Sequence, residues 1–242
     1  MPHSRPLAAA DEIRAYLIGQ LNLALRRPGM FGNEGALRML VDHLLFVEAQ
    51  PEALAEQQKV WKERGAWTSA GVTGAFQGFV PGRCDDGMAS VYAEFARRRG
   101  WLRPDRVLAA GEYRALRSRV RSWAGQDRVW ADVVDEFGAP SVLFGGTNPL
   151  YGKTLGYVSE DPEQPMVSFH LWNGSTQEAG SSRVPQYPEA VLLAVRIGDG
   201  HGERDLDGGG GEGGDFGDWG TTLTLTPEGE RQRRELLEAG GF

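Results

Sequence analysis

The stretch 133-VVDEFGAPSVLFGG-146 separates two kinds of sequence pattern in this chain. Its first part, up to Phe137, ends the last of several segments in which apolar residues recur every three or four positions, as in amphipathic helices. Gly138 and Pro140 are residue types that commonly follow the end of a helix. The run 141–144 is the first of several short β-type segments. This order predicts an α+β protein in which helices precede strands.

Upstream of Gly138 the helical pattern recurs along the chain. Asp11 begins a predicted helix that extends to about residue 27, where Pro28 and Gly29 stop it. Further predicted helices begin at Asn33, at Pro51, at Asp85 or Asp86, at Pro104 and at Asp127. The intervening stretch 65–82 is rich in glycine and aromatic residues, and we expect it to be irregular or briefly helical.

Downstream of Gly138 the strand pattern takes over. Strands are predicted over 141–144, 154–158, 166–172, 191–197 and 221–225, with turn residues between them. The Gly- and Asp-rich segment 198–218 is predicted to be a mobile loop. We expect one α+β domain over 1–242, whose helical part at about 11–138 packs on a small, mainly antiparallel sheet at about 139–226. A helix over 227–239 closes it.

The composition narrows the classes of protein. Of 242 residues, 40% are apolar and 24% are charged, which is ordinary for a soluble globular protein. No apolar run approaches the roughly 20 residues of a membrane helix, and residues 1–10 lack the apolar segment of a secretory signal. Cys84 is the single cysteine, which excludes an internal disulfide. We therefore expect a cytoplasmic protein that makes no membrane contact.

Charge is unevenly distributed along the chain. The formal net charge of −7 disfavours general attraction to nucleic acid. The segment 97–128, however, carries ten arginines against three acidic residues, so nucleic-acid binding through this segment is an alternative hypothesis. Its aromatic residues have helical spacing and are predicted to lie in the core, with the arginines solvated or paired with acidic residues. These aromatics are Trp101, Tyr113, Trp123 and Trp130.

Motifs for familiar catalytic and ligand sites do not occur in the sequence. There is no HExxH, CxxC, GxSxG or P-loop pattern, and no GxGxxG opens a helix. We therefore expect neither a metal nor a cofactor. Cys84 is a nucleophile only if His43 or His170 lies beside it as a base. Because the sequence does not show such a spatial partner, we predict an inert thiol at the start of a helix.

The densest polar and aromatic cluster lies between residues 145 and 173. Alternation along the predicted strand 166–172 places Val167, Phe169 and Leu171 on one face, which is the better core face. The other face carries His170 and Trp172. It is either an accessible binding face or a face covered by the N-terminal helices, in which case His170 is a hydrogen-bonded structural residue. The candidate binding residues are Asn148, Tyr151, Lys153, His170, Trp172 and Asn173.

The segment 27-RPGMFG-32 resembles the RPGMYIG loop of gyrase-type ATPases, which is also followed by a helix. The Glu and Asn of that family's metal-binding helix and its DxGxG motif have no counterpart here. Similar loops occur near the start of small bacterial proteins that neutralise toxins, and the general layout resembles uncharacterised bacterial, actinobacterial-type proteins of the toxin-immunity or accessory kind. The residues alone predict a helix-ending turn whose Met30 and Phe31 fill the core.

Two functional hypotheses follow. In the first, the chain is a soluble bacterial interaction protein, such as an immunity or accessory protein, that binds a protein partner through 145–173. In the second, it is an enzyme or small-ligand-binding protein with a site around Tyr151, Lys153 and His170. There His170 is the acid or base, since imidazole titrates near neutral pH, and Lys153 contacts an anion. A concave pocket that brings His170 and Lys153 within hydrogen-bond reach would favour the second hypothesis, and a flat face the first.

Overall fold

The computed structural model describes residues 8–176, 184–198 and 222–239. Helices occupy the described chain up to Phe137, strands follow from Val142 to Leu225, and a helix comes last. The predicted α+β class is therefore confirmed, including the antiparallel sheet and the C-terminal helix. The loop predicted over 198–218 lies outside the described residues, except for Gly198.

The described residues contain nine helices. They are α1 (Ala10–Arg26), α2 (Pro28–Phe31), α3 (Asn33–Val47), α4 (Ala53–Glu63), α5 (Gly71–Gln77), α6 (Asp85–Arg98), α7 (Ala110–Trp123), α8 (Trp130–Phe137) and α9 (Pro227–Glu238). Thr226 caps α9, because its Oγ1 accepts a hydrogen bond from the N–H of Gly229 at 3.1 Å. Asp85 and Asp86 lie in the first turn of α6, but neither carboxylate caps it. Asp85 instead accepts a hydrogen bond from Arg83 Nε at 2.9 Å.

The strands form an antiparallel sheet in the order β1-β2-β3-β6-β7. Its strands are β1 (Val142–Gly145), β2 (Lys153–Tyr157), β3 (Val167–Trp172), β6 (Val191–Ile197) and β7 (Leu223–Leu225). A separate two-stranded ribbon, β4 (Ser175–Thr176) with β5 (Val184–Pro185), is inserted between β3 and β6. Apart from this ribbon, strands that are consecutive in sequence are also neighbours in the sheet. Antiparallel neighbours of this kind can be joined by a turn, as β1 and β2 are.

Helices cover both faces of the sheet. Phe169, Leu171 and their neighbours pack against α7 and α8 in one apolar core. The opposite face, with Phe144 and Ala194, packs against the N-terminal helices in a second core. Of the two alternatives for the second face of β3, the structure has the one in which the N-terminal helices cover it. The first 137 residues supply helices to both sides, so the face of His170 is covered as well.

Two predicted helices begin three or more residues later than expected. Residues 104–109 run extended along the sheet, because Leu108 donates its N–H to Val158 O at 2.9 Å, and α7 starts at Ala110. The helix predicted from Asp127 starts at Trp130, whose N–H bonds to Ala190 O at 3.0 Å. These backbone bonds to the sheet compete with helix formation and are invisible in local sequence.

The interpretation of Met30 and Phe31 as core residues is wrong. Their side chains are 81% and 40% exposed, and the residue of α2 that is buried is Pro28. The physical reason is the shortness of α2, which has one turn and ends at Gly32 with a φ of 96°. A helix of one turn can bury only one of its sides; in α2 that side carries Pro28, so Met30 and Phe31 stay at the surface.

Candidate functional site

A cavity of about 1080 Å³ opens where the two halves of the chain meet. Its wall comes from α2, from the first turn of α6, from the β1–β2 turn and from the C-terminal end of β3. We call it the α2/α6 cleft. All six candidate residues predicted from the sequence line it: Asn148, Tyr151, Lys153, His170, Trp172 and Asn173.

The β1–β2 turn supplies Asn148 and Tyr151. The Asn148 side-chain oxygen accepts from the Leu150 N–H at 3.0 Å, and its carbonyl accepts from the Tyr151 N–H at 3.2 Å. These are the bonds by which asparagine stabilises a turn. They leave the Tyr151 side chain 62% exposed at the mouth of the cleft.

Lys153 begins β2 and is buried. Its ammonium lies 3.6 Å from the ring centroid of Trp130 and donates to the Asn148 carbonyl oxygen. Burial lowers the pKa of Lys153 to about 8; the carboxylate of Asp86 acts in the opposite direction and Arg27 in the same one. The Lys153 ammonium has therefore exchanged water for an aromatic ring and a carbonyl oxygen, and it forms no ion pair with a carboxylate of the described residues.

His170 lies on the other face of the sheet. It pairs with Thr154 across the β2–β3 ladder, and Thr154 Oγ1 is 3.0 Å from His170 Nδ1. Phe76 and Phe79 pack edge-on against the imidazole, which is 3% exposed. Burial first, and the charge of Arg196 second, lower the pKa of His170 well below its usual value. The ring is therefore neutral at physiological pH.

The close approach of Lys153 to His170 that would favour an enzyme is not present: the cleft is concave, but the two side chains lie on opposite faces of the sheet. Lys153 pairs with Leu171 and shares its face, whereas His170 faces α5 through Phe76. Adjacent residues of a strand point to opposite sides of a sheet, so Lys153 and the Thr154–His170 pair diverge. The α2/α6 cleft wraps around the end of the sheet and is lined by both.

Trp172 and Asn173 form a fixed wall of the cleft. The Asn173 amide donates to Tyr187 O at 2.9 Å and accepts from the Tyr187 N–H at 3.0 Å. The rings of Trp172 and Tyr187 are 6.2 Å apart, edge to face. Tyr187 donates its hydroxyl to Glu228 at 2.9 Å, which connects this wall to α9. Trp172 remains half-buried, with part of its indole facing the cleft.

Several residues of the cleft were not among the sequence-based candidates. Arg27 and Met30 come from α2 and its start, and Arg83, Asp85 and Asp86 come from the start of α6. Two sequence signals pointed toward them. One is the 27–32 motif, and the other is the adjacent pair of aspartates at a predicted helix start.

Asp86 is the most perturbed carboxylate of the cleft. Its oxygens lie against Gly145, where an added Cβ would be 2.7 Å from Oδ2. Burial raises the pKa of Asp86 to about 6; Asp85 adds to the rise, whereas Arg27 and Lys153 oppose it. Gly145 has a φ of 101°, so both its conformation and its missing side chain make room for this carboxylate.

Cys84 also borders the cleft but is protonated. Its Sγ lies 3.4 Å from the Thr73 carbonyl oxygen. Burial, followed by the charge of Asp85, raises the pKa of the Cys84 thiol to about 12. A thiolate nucleophile is therefore not formed at neutral pH in this structure.

The arginine-rich segment mostly serves the fold. Arg97 is buried and donates to three backbone carbonyls of the turn after β2, those of Ser159, Asp161 and Gln164. Arg106 pairs with Glu112, and Arg119 pairs with Glu136. These guanidinium groups are already bound to carbonyl and carboxylate oxygens of the chain, so they are not free to bind the phosphates of a nucleic acid.

Within residues 8–176, 184–198 and 222–239, no group of three or more His, Cys, Asp or Glu side chains could hold a metal ion. None of the helices in the same ranges is long and apolar enough to cross a membrane.

Replacing Asp86 by asparagine is expected to stabilise the protein at neutral pH. Folding raises the Asp86 pKa from 3.8 to about 6, so the folded state binds this proton more tightly. The free energy of unfolding therefore falls as the pH rises through this interval, and Asp86→Asn removes that loss. At pH 7.5 the gain is about 1–3 kcal/mol, and near pH 4 it largely disappears. Urea denaturation of both proteins at the two pH values measures it.

Asp42, an exposed aspartate of α3, provides the matched control. Asp42→Asn is expected to change the free energy of unfolding by less than about 0.5 kcal/mol at either pH. A loss of stability in Asp86→Asn at pH 7.5 would show that the carboxylate is compensated and would contradict the prediction.

Comparison with known proteins finds no relative: no protein-family model, no curated protein and no solved structure matches the chain.

Proposed function

We propose that this protein is a non-enzymatic interaction protein, of the immunity or accessory kind, that receives a segment of a protein partner in the α2/α6 cleft. The observation that carries the proposal is the exposed apolar rim of this cleft. Met30 and Tyr151 are 81% and 62% exposed, and both line the cavity. Exposed methionine and tyrosine beside a recess are typical of protein interfaces, where they are enriched relative to the rest of the surface.

The open rim of the cleft supports a polypeptide occupant. At about 1080 Å³ the α2/α6 cleft has the volume of a large small-molecule pocket, so its volume favours neither hypothesis. Small-molecule pockets enclose most of their ligand, however, whereas Met30 and Tyr151 in the wall of this cleft are largely exposed. A segment with several side chains can fill such a space while the rest of its protein contacts the rim.

The arrangement inside the cleft favours binding over catalysis at His170. A general acid or base must reach the reacting proton and must titrate near the working pH. The His170 imidazole is buried among Phe76, Phe79 and Thr154, its pKa is lowered, and Lys153 faces the other side of the sheet. The protonated thiol of Cys84 likewise lacks the charge of a nucleophile.

Two further observations support the class of protein. The segment 27–32, which carries the resemblance to toxin-neutralising proteins, lies at this cleft through Arg27 and α2. Cys84 is a free, buried thiol, which agrees with a reducing compartment such as the cytoplasm. We therefore propose a cytoplasmic bacterial protein whose partner engages α2 and the β1–β2 turn together.

Photo-crosslinking from Tyr151 tests the proposal. A benzoylphenylalanine residue replaces Tyr151 in the full chain, expressed in its native host, and the same residue replaces Tyr16 in a second strain. Tyr16 is 65% exposed on α1 and does not line the cleft, so it matches Tyr151 in residue type and exposure. We expect one dominant cross-linked protein from position 151 and none from position 16.

The same experiment can overturn the proposal. If the same proteins were cross-linked from positions 151 and 16, the cross-links would reflect random collisions. If no protein were cross-linked from position 151, the proposal of a partner at the cleft would be wrong. Trp172→Ala in the Tyr151 cross-linking strain adds a third arm, in which loss of the cross-linked band is expected because the indole wall is gone.

A second candidate function, a small polar ligand or enzymatic site around Tyr151, Lys153 and His170, keeps one observation in its favour. Asp86 and Lys153 line the same cleft, and their pKa values, about 6 and about 8, approach neutrality from opposite sides. Groups with such values are found at catalytic sites. In this version Asp86 would replace His170 as the acid or base.

Nucleic-acid binding through 97–128 has weaker support, because several of its arginines bind carbonyls or carboxylates of the chain itself.

A further inference from the structure

Two charged groups of the α2/α6 cleft have no ion-pair partner within the described part of the chain. The Arg27 guanidinium makes one hydrogen bond, at 3.4 Å, to the carbonyl of its neighbour Arg26. Asp86 makes no salt bridge or side-chain hydrogen bond to any described residue, whereas Asp85 beside it is paired with Arg83. Both residues are half-buried, and a charge that is partly removed from water gains from a partner, so both groups are open to a ligand.

The two groups have opposite signs and share one space. Arg27 is the cation that most lowers the pKa of Asp86, although no Arg27 nitrogen lies within 4.0 Å of its carboxylate in the described structure. Both line the cleft and their charges attract, but they form no ion pair. Lys153 adds a second cation without a carboxylate contact, since Trp130 and the Asn148 carbonyl hold its ammonium.

A third polar group of the cleft wall is also unpartnered. His170 Nε2 is buried and has no hydrogen-bond partner among the described residues, although Nδ1 is bonded to Thr154. More than nine-tenths of buried polar groups in proteins are hydrogen-bonded. This nitrogen packs beside Phe76 and Phe79, on the sheet face opposite Lys153, so it is an unsatisfied atom of the wall and not a contact for the charged groups of a ligand.

Ligands that carry one sign of charge are disfavoured by this arrangement. A purely anionic ligand would meet Asp85 and Asp86, and a purely cationic one would meet Arg27 and Lys153. Like charges brought together in a partly desolvated site repel strongly, and such repulsion is a common source of specificity. A group with both signs, correctly spaced, satisfies both sides of the cleft.

Resting on the proposed function, we infer that the partner segment entering the α2/α6 cleft carries one acidic and one basic side chain within a few residues of each other. The acidic side chain binds Arg27 with support from Lys153. The basic side chain binds Asp86, and its stem lies along the half-buried ring of Trp172. The pairing also explains why an uncompensated carboxylate is retained next to Gly145, at a cost in stability that the partner offsets.

Selection from a peptide library tests this inference. A phage-displayed library of random 12-residue peptides is panned against the full chain and against Arg27→Gln, Asp86→Asn and the double variant. We expect wild-type selections to be enriched in peptides with a Glu or Asp close to a Lys or Arg. Asp86→Asn should lose the basic preference and keep the acidic one, and Arg27→Gln should do the reverse. Each single change should weaken a selected peptide by about tenfold or more.

Control variants separate this inference from the proposed function. Met30→Ala combined with Tyr151→Ala removes the apolar rim, and Asp42→Asn removes a charge elsewhere. Peptides that lose binding with the rim variant, but show no paired charges, would overturn the charge inference and leave the proposed function standing. Peptides that bind equally to all cleft variants, or no enrichment at all, would overturn both. If Asp42→Asn weakened peptide binding as much as Asp86→Asn does, the assignment of Asp86 as the contact for the basic side chain would be wrong.

Discussion

Glu34→Ala is expected to lower the free energy of unfolding by about 3–5 kcal/mol, which is a large share of the stability of most domains. Glu34 connects α3 to α5 and α6. Its carboxylate accepts the N–H groups of Val72 and Thr73, each at 2.9 Å, and the Thr73 hydroxyl at 2.7 Å. It also accepts the hydroxyl of Tyr92 at 3.0 Å.

The size of this effect follows from what the substitution leaves behind. The N–H groups of Val72 and Thr73 begin α5 and have no helical partner, so Glu34 is their acceptor. The Tyr92 hydroxyl would lose its acceptor within a buried residue. Each buried donor without a partner costs about 1–3 kcal/mol. Because α5 presents Phe76 to His170, we also expect the cleft wall to loosen.

Urea denaturation of wild type, Glu34→Ala, Glu34→Gln and Glu63→Ala measures the effect. Glu63 is an exposed glutamate at the end of α4, and its replacement is expected to change stability by less than about 0.5 kcal/mol. Glu34→Gln retains one acceptor oxygen and should lie between the wild type and Glu34→Ala. Equal stability of Glu34→Ala and Glu63→Ala would show that the four hydrogen bonds contribute little.

Gly229→Ala is expected to destabilise the protein by about 2–4 kcal/mol, although alanine is the better helix former. Gly229 lies in α9, where the helix touches β6. A Cβ at this position would lie 2.0 Å from the Leu193 carbonyl oxygen, which is backbone and cannot rotate away. The helix or the strand must shift, and the Thr226 hydroxyl bonds to the carbonyls of Leu192 and Leu193 would shift with it.

The same substitution should disturb the candidate site. Glu228 precedes Gly229 and accepts the Tyr187 hydroxyl, and Tyr187 holds Asn173 through two backbone bonds. Binding of any selected peptide should therefore weaken more than the stability loss alone explains. Peptide titrations carried out well below the melting temperature separate these contributions.

Gly35→Ala is the matched control for Gly229→Ala. Gly35 lies in the first turn of α3, as Gly229 does in α9, and nothing is within 4 Å of the Cβ that alanine would add. There the helix propensity acts alone, and we expect a gain of about 0.5–1 kcal/mol. If both substitutions stabilised the protein, the close contact between α9 and β6 would be disproved.

Periodicity and turn chemistry were sufficient to predict most of the elements. Strand β3 was expected over 166–172 and is observed at Val167–Trp172, and the helix expected from Pro227 is observed at Pro227–Glu238. These signals are local, because each residue type favours a conformation of its own backbone. The candidate residues were found by the same local reasoning, since polar and aromatic side chains cluster in and around a turn.

The failures share a non-local cause. Met30 was assigned to the core from its apolar character, but it lies on the rim of a cleft that α2 and the β1–β2 turn create together. Whether His170 is accessible depends on which element packs on its face of β3, and α5 does so through Phe76. Asp86 had no distinguishing sequence signal beyond its neighbour Asp85, because its pKa is raised mainly by burial, and Gly145, against which its carboxylate lies, is about sixty residues along the chain.

By itself, then, the sequence determined the class of fold, the order of helices and strands, and the region of the chain that carries the candidate site. Conformational preference and amphipathic period act within a few residues, so they can be read without a structure. The tertiary structure alone decided that both faces of the sheet are covered, that Lys153 and His170 point apart, and that Arg27 and Asp86 line the same cleft. Burial, hydrogen-bond partners and charge spacing depend on residues that are distant in sequence, and only the packed chain brings those residues together.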